Sequence, residues 1–435
     1  IRRKIRYFEK FTIIIHKVML DIKLIRENAD LVKAKLVLRN EDTNKIDEIL
    51  ELDKSRLEIL HKVEVMKETR NKVSTEIAKM KKEKIDAEAV EKKIAEMKKV
   101  GDDIKGYDDE LRAIESKIES ILYYIPALPA DGVPEGKDAS DNVEVKVWGE
   151  KKKFDFEVKD HVQLSKKLDI LDFERGTKIS GSGFALYKGK GATLERALIN
   201  FMLDTHTQQN GYNEVMVPVL VNKASMEAAE KIPKFEEDMY HVTADDLYAI
   251  PTAEVPILNI HRDEILKQDE LPVKYCGFTN CFRREAGSYG KDTKGFLRVH
   301  QFNKVELFNF CTPETSYEEL ERMLGHACGL LEALGVYYRV IELCTGDMGF
   351  SASKCYDIEV WSYAEDKWLE ASSVSNCTDF QSRRAQIRYK KVLENGKTKT
   401  ELVHMLNGSG LATSRLMVAL LEANQNADGS INVPE

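Results

Sequence analysis

At 435 residues the chain is too long for one ordinary domain, so two or three are expected. Its hydrophobic share of 43% can fill real cores, while its charged share of 32% calls for a long solvated element. A net charge of −8 excludes wholesale coating of nucleic acid, so any such contact must come from a local patch.

Residues 1–18 are basic, carry an apolar patch from Phe11 to Ile15 and contain no serine, unlike a transit peptide. They read as an extension of open origin ahead of Met19-Leu20-Asp21, which reads as a natural start. From Asn44 to Ile125 the chain turns to Lys, Glu, Ile, Leu and Met without a proline. Steps of four and three from Val90 reach Ile94, Met97, Gly101, Ile104, Asp108, Leu111, Glu115, Ile118, Leu122 and Ile125. Eight of these eleven positions are apolar, the period of a coiled-coil seam. Ahead of them Ile46, Ile49, Leu57, Leu60, Val63, Val73, Ile77 and Met80 mark one face. The stripe breaks over 82–88, where Asp86 can cap a new helix. Two helices of roughly 38 residues, each about 60 Å long, therefore form an antiparallel arm. From Lys62 to Lys99 twelve Lys or Arg stand against eight Asp or Glu, a local excess of +4. On charge alone a solvated helix face explains that excess better than an RNA-binding tip.

A Pro- and Gly-rich linker over 126–140 leads to a globular remainder, 141–435. Leu194, Ala197, Leu198 and Phe201 mark one face of a helix, and 214–221 reads as a strand with Pro218 near an edge. Residues 276–282 and 297–310 read as a long hairpin around a polar loop, Arg284 to Gly295. Alternation on the return strand puts Arg298, His300, Phe302, Lys304 and Glu306 on one face, a set costly to bury without a ligand. Residues 402–406 lead through Asn407-Gly408-Ser409-Gly410 into an amphipathic helix ending near Ala423. No run of about eighteen apolar residues occurs, so no membrane-spanning segment is expected. The seven cysteines show no metal-ligand or redox spacing; packed, reduced thiols are expected, and no zinc.

Phe282-Arg283-Arg284-Glu285, the loop and His300-Gln301-Phe302-Asn303-Lys304-Val305-Glu306 resemble motif 2 of class II aminoacyl-tRNA synthetases, in the form of the seryl-tRNA synthetase family. Residues 211–218 resemble motif 1 and 407–415 resemble motif 3. Thr252-Ala253-Glu254 resembles the family's serine-receiving element, and 370–384 resembles its remaining active-site strand. The resemblance spans Met19 to Glu435, ending short of the family's usual last residues, with all five elements in family order.

That resemblance implies an α+β protein. An N-terminal antiparallel α-helical coiled-coil arm within a tRNA-binding domain, 19–125, precedes a catalytic domain on a six- to seven-stranded antiparallel sheet flanked by helices. It implies a cytoplasmic homodimer that activates L-serine with ATP and Mg²⁺, then transfers it to the 3′ end of serine tRNA, and of selenocysteine tRNA where that exists. Arg283 would bridge the α-phosphate and the serine carboxylate, and Arg283 and Arg415 are the expected catalytic pair. Serine would lie against Thr252, Ala253, Glu254, Arg283, Glu306, Asn407 and Ser409, with the roles of Glu254 and Glu306 left open. ATP would lie against Arg283, Arg284, Glu285, Arg298, Val299, Phe302, Glu370, Ala371, Ser372, Ser373 and Arg415. Among these, Glu285 and the backbone near Val299 would read adenine, Phe302 and Arg415 would sandwich it, and Arg298 would take the γ-phosphate. Glu370 and Ser373 would hold Mg²⁺. In this family the arm grips the long variable arm of the tRNA, which assigns Lys79, Lys81, Lys82, Lys84, Lys98 and Lys99 to that contact. Two rival readings share part of this pattern. A catalytically inactive paralogue that binds RNA should have lost Arg283, Glu254 or Arg415, and an amino acid:carrier protein ligase should lack the arm. This chain keeps them all.

Overall fold

A computed structural model describes residues 20–84, 86–286 and 295–434. The extension over 1–18 and residues 287–294 of the polar loop lie outside the described residues. The chain divides into two compact units, one running to Val37 and again over Glu41–Ile125, the other comprising Leu38–Asn40 and everything from Pro126 on.

In the first unit, α1 (Asn44–Lys82) and α2 (Ala87–Leu122) are 39 and 36 residues long. Lys117–Glu48, Lys67–Asp108 and Lys93–Glu76 ion pairs run in opposite sequence directions along the two helices, so the pair is antiparallel. The turn falls at the expected break, and the Asp86 side chain caps α2 by accepting from the Glu88 N–H. Val90, Ile104, Leu111, Ile118 and Leu122 are buried along the seam, but Ile94 near the turn is 41% exposed.

On α1 the seam departs from the expected face. Leu57 is exposed, and Asp53 and Ile59 are buried instead. Heptad steps from Ile46 through Ile49 lead to Asp53 and Arg56, so the seam carries a charged layer. Arg56 lies 3.0 Å from Asp53 and 3.7 Å from Glu115, and Arg26 closes on Asp53 at 2.6 Å. Burial pushes the Glu115 carboxyl up, with Arg56 opposing it. A count of apolar positions passes over such a layer. Buried charges in a seam cost stability, and the surrounding apolar steps offset them.

The second unit is built on strands β1 (Val143–Trp148), β2 (Asn213–Glu214), β3 (Val273–Phe282), β4 (Gln301–Cys311), β5 (Tyr338–Glu342), β6 (Lys354–Ser362), β7 (Lys367–Asn376) and β8 (His404–Ala412). They form one sheet in the order β1-β5-β6-β7-β8-β4-β3-β2. Every neighbouring pair is antiparallel except the two-residue β2, which runs parallel to β3. The count of eight exceeds the expected six to seven. Its helices include α3 (Lys190–Gln208), α4 (Glu254–Leu258), α5 (Ser316–Ala333), α6 (Phe380–Ala385) and α7 (Thr413–Ala423). Leu320, Met323 and Leu331 of α5 and Leu416 and Leu420 of α7 are buried with Val305, Leu307, Ile358 and Val374 of the sheet. This core fixes the strands that carry the site.

Two local expectations need correction. Residues 214–221 are not one strand: Asn213–Glu214 and Leu220–Asn222 belong to different sheets. Pro218 lies between them and has no N–H for a ladder. The return strand of the hairpin starts at Gln301, so Arg298 and His300 precede it. His300 gives its backbone N–H to the Gly183 carbonyl at 2.9 Å instead. Among the described residues no helix is long and apolar enough to cross a membrane. All seven cysteines are buried free thiols.

Candidate functional site

Two adjoining cavities of about 620 and 240 Å³ share Arg283, Glu285, Arg298, Lys304, Glu370 and Ser409 in their walls. Sites of this size take small organic ligands.

One end is a buried cluster of charges. Phe302, Lys304 and Glu306 alternate along β4 and so point the same way, into the cleft. Lys304 Nζ lies 2.5 Å from Glu306 Oε2, and the Thr252 hydroxyl donates to that same oxygen at 2.8 Å. Thr252 leads into α4, whose first residue is Glu254. Glu254 accepts from Lys231 Nζ at 3.0 Å and from Gln381 Nε2, on α6, at 2.6 Å. Burial alone would raise Glu254, but Lys231, Gln381 and Lys304 together outweigh it and hold the carboxyl below its usual value. Glu306 goes the other way: burial raises it, and Lys304 only partly offsets that. Asn407 and Ser409 of β8 complete this wall.

The other end is lined by guanidinium groups. Arg283 leaves the end of β3, rests over the Phe302 ring at 5.2 Å and donates from Nε to the Pro251 carbonyl at 3.3 Å. Arg298 holds Glu285 at 2.6 Å. Arg415, on α7, donates to the Glu370 carbonyl at 2.6 Å and lies 3.3 Å from its carboxylate. Val299, Phe302 and Ala371 line the smaller cavity.

Two irregularities set this geometry. Ser372 pairs with Ile358 while Glu370 pairs with the next residue, Glu359, leaving Ala371 as the extra residue of a bulge in β7. Strict alternation would send Glu370 and Ser373 to opposite faces; the bulge brings both to the cleft. On β8 the register slips between Ser409 and Ala412, where Leu411 has φ +92°, and both Ser409 and Ala412 face the smaller cavity. Backbone of this kind concentrates at functional sites.

Three expected residues stand off the cavity walls. Ala253 is fully buried in the core beside α4. Arg284 turns away to donate to the Glu237 carbonyl at 3.0 Å. Ser372 donates to the Ser409 carbonyl at 2.7 Å, tying β7 to β8. Conversely Lys231, Phe235 and Asp238 line the larger cavity without having been singled out. They come from an irregular stretch, where no periodicity marks them. Lys304 was visible on the strand face, and its alternation with Glu306 is the signal that could have placed it. On the arm, Lys79, Lys81, Lys82, Lys84, Lys98 and Lys99 are all exposed.

The donor set at Glu370 and Ser373, a carboxylate and a hydroxyl, suits a hard divalent cation. Among the described residues no three His, Cys, Asp or Glu side chains converge to cage a metal. A cation here would therefore complete its shell from a ligand or water, as Mg²⁺ on a nucleotide does.

The seryl-tRNA synthetase N-terminal domain matches residues 19–129, and the tRNA synthetase class II core domain (G, H, P, S and T) matches 235–424. A serine--tRNA ligase of Chloroherpeton thalassium is 56% identical over 420 residues, covering 96% of this chain and 97% of its own. One from Listeria monocytogenes is 51% identical over 417 residues, covering 96% of each. Among solved structures, the seryl-tRNA synthetase of Pyrococcus horikoshii complexed with ATP superposes with a TM-score of 0.89 at 39% identity, covering 96% of both chains. The cytoplasmic serine-tRNA ligase of Naegleria fowleri in complex with AMP gives 0.84 at 29% identity, again covering 96% of both.

Proposed function

The chain belongs to the seryl-tRNA synthetase family and joins serine to tRNA, and from that premise we propose how the cleft divides the work. L-Serine lies at the end formed by Thr252, Glu254, Glu306, Asn407 and Ser409, with its ammonium against Glu254, the carboxylate held ionised. ATP lies towards Arg298, Phe302 and Arg415, the base on Phe302. Between them Arg283 holds the serine carboxylate against the α-phosphorus, with a fork that meets two oxygens at once. The carboxylate attacks, pyrophosphate leaves, and the guanidinium groups stabilise the charge that gathers on the phosphate oxygens. Mg²⁺ held by Glu370 and Ser373 would supply further positive charge to those oxygens. The 3′-terminal ribose hydroxyl of the tRNA then attacks the adenylate carbonyl, releasing AMP. Serine tRNA, and selenocysteine tRNA where it exists, is gripped through its variable arm by the lysines of the helical arm. This reading makes the protein a cytoplasmic enzyme.

One observation carries it. Guanidinium groups fit for phosphates and buried carboxylates fit for an amino acid line two adjoining cavities that share Arg283 in their walls. Pyrophosphate exchange measured with each amino acid tests it. Serine alone is expected to support exchange, with alanine and glycine rejected by about 10⁴ because they leave buried polar groups unpaired. Equal exchange with alanine would remove the serine assignment. Neither rival, the inactive paralogue nor the carrier protein ligase, gains an observation.

The working form is a homodimer closed through motif 1. Met216 is 94% exposed there, beside exposed Val219 and Leu220, an apolar patch that a two-fold partner would cover. Light scattering at micromolar concentration should give twice the chain mass. A monomer mass would count against it.

A further inference from the structure

Glu230 and Lys231 follow the short helix Lys223–Ala228 in a tight turn, with the Glu230 N–H bonded to the Glu227 carbonyl at 3.1 Å. Glu230 has φ +51°, a left-handed conformation that favours glycine, yet the residue carries a carboxyl and is only 3% exposed. Its Oε1 is buried without a hydrogen-bond partner. Lys231 lines the larger cavity and its ammonium sits on Glu254. The pocket thus reaches its substrate with Glu254 already neutralised by a lysine. A second ammonium arriving there would meet Lys231 as a like charge.

We propose that Glu230 is a positioning residue of the serine pocket: its carboxylate balances the Lys231 ammonium, so that Glu254 can accept the ammonium of serine. The inference rests on the reading that places serine against Glu254. With Glu230 ionised, Glu230 and Glu254 balance Lys231 and Arg384, and the four groups carry no net charge. With Glu230 protonated the four carry one net positive charge, which the substrate ammonium meets as a like charge in a buried site.

The groups facing Glu230 are Lys231 and Arg384, which favour its anion, Glu254, which opposes it, and the Ser351 hydroxyl, which supports it. The buried Cys377 thiol is raised well above its ordinary value and stays neutral. Burial is the largest influence and, with these neighbours, pushes Glu230 up to about 7. Ionisation therefore grows as pH rises through about 7, and serine binding should strengthen with it.

The test is pyrophosphate exchange by the full chain with L-serine and ATP·Mg²⁺ from pH 6 to 8, in the parent, Glu230→Gln, Glu230→Gly and the double variant Glu230→Gln with Lys231→Gln. The glycine variant removes the carboxyl while suiting the backbone. In the parent the serine KM is expected to fall as pH rises. Both single variants should hold a KM roughly tenfold above the parent's value at pH 8, flat with pH, with little change in kcat or in the KM for ATP. The double variant removes the stranded ammonium and should return the serine KM to near the parent's. Glu306 is also raised by burial, and a slope due to it would survive in both single variants. A surviving slope, or a double variant no better than Glu230→Gln, would overturn the proposal. Glu254→Gln separates the premise: if its serine KM stays within a few-fold of the parent's, serine does not sit on Glu254 and the placement itself is wrong.

Discussion

Replacing Arg283 by alanine is expected to lower serine-dependent pyrophosphate exchange by about a hundredfold or more, the equivalent of roughly 3 kcal/mol of transition-state stabilisation. Arg283 lines both cavities, the one that takes serine and the one that takes ATP in our reading. Its fork is needed where negative charge from two substrates meets, so Arg283→Lys should recover little: an ammonium is a point charge and cannot span two oxygens in a plane. Because the guanidinium lies on a cavity wall over Phe302 and not in the core, the thermal midpoint should move little. If Arg283→Ala exchanges within a few-fold of the parent, the assignment of this hairpin to catalysis is wrong.

The arm was legible because a coiled coil writes itself in the sequence. The heptad period, the break over 82–88 and the Asp86 cap each follow from local chemistry, and the structure places the turn there. What stayed hidden was the charged layer. Asp53 is buried by two arginines, one of them, Arg26, 27 residues earlier, and no local pattern announces that pairing. Leu57 was assigned to the seam because it is apolar, although the heptad step from Ile49 passes through Asp53 and Arg56.

In the catalytic unit the strand face of Phe302, Lys304 and Glu306 could be read from alternation. The bulge at Ala371 could not, because it depends on how β6 pairs with β7. Only that bulge explains why Glu370 and Ser373, three residues apart, reach the same cleft. Lys231 was hidden for another reason: its role comes from a partner, Glu254, 23 residues on, with no motif of its own. Similarly, nothing in the run 370–384 tells that Ser372 turns to the Ser409 carbonyl while its neighbours turn to the cleft.

Deleting Glu64–Val100, with a short turn joining the helices, should leave serine-dependent pyrophosphate exchange nearly intact and lower aminoacylation of serine tRNA by orders of magnitude. The cut is placed to keep the arm's base folded. Val63 and Ile104 flank it and bury with Ile59 and Leu111, and the Asp53, Arg56 and Glu115 layer is retained as well. The lost segment carries Lys79, Lys81, Lys82, Lys84, Lys98 and Lys99, all exposed, within the stretch whose net charge is +4. It belongs to a different compact unit from the cleft, so none of the residues that line the cavities is removed. Cationic contacts to phosphates dominate RNA affinity, and each one lost reduces the salt dependence of binding by roughly 0.7 to 0.9 in log–log slope. The deletion should therefore bind serine tRNA more weakly and with a shallower salt slope, while the serine KM in exchange is unchanged. A solvated helix face with no RNA role predicts something else: equal affinity, equal charging and equal slopes for deletion and parent across the titration. That result would remove the tRNA contact from the arm and leave the chemistry of the cleft untouched.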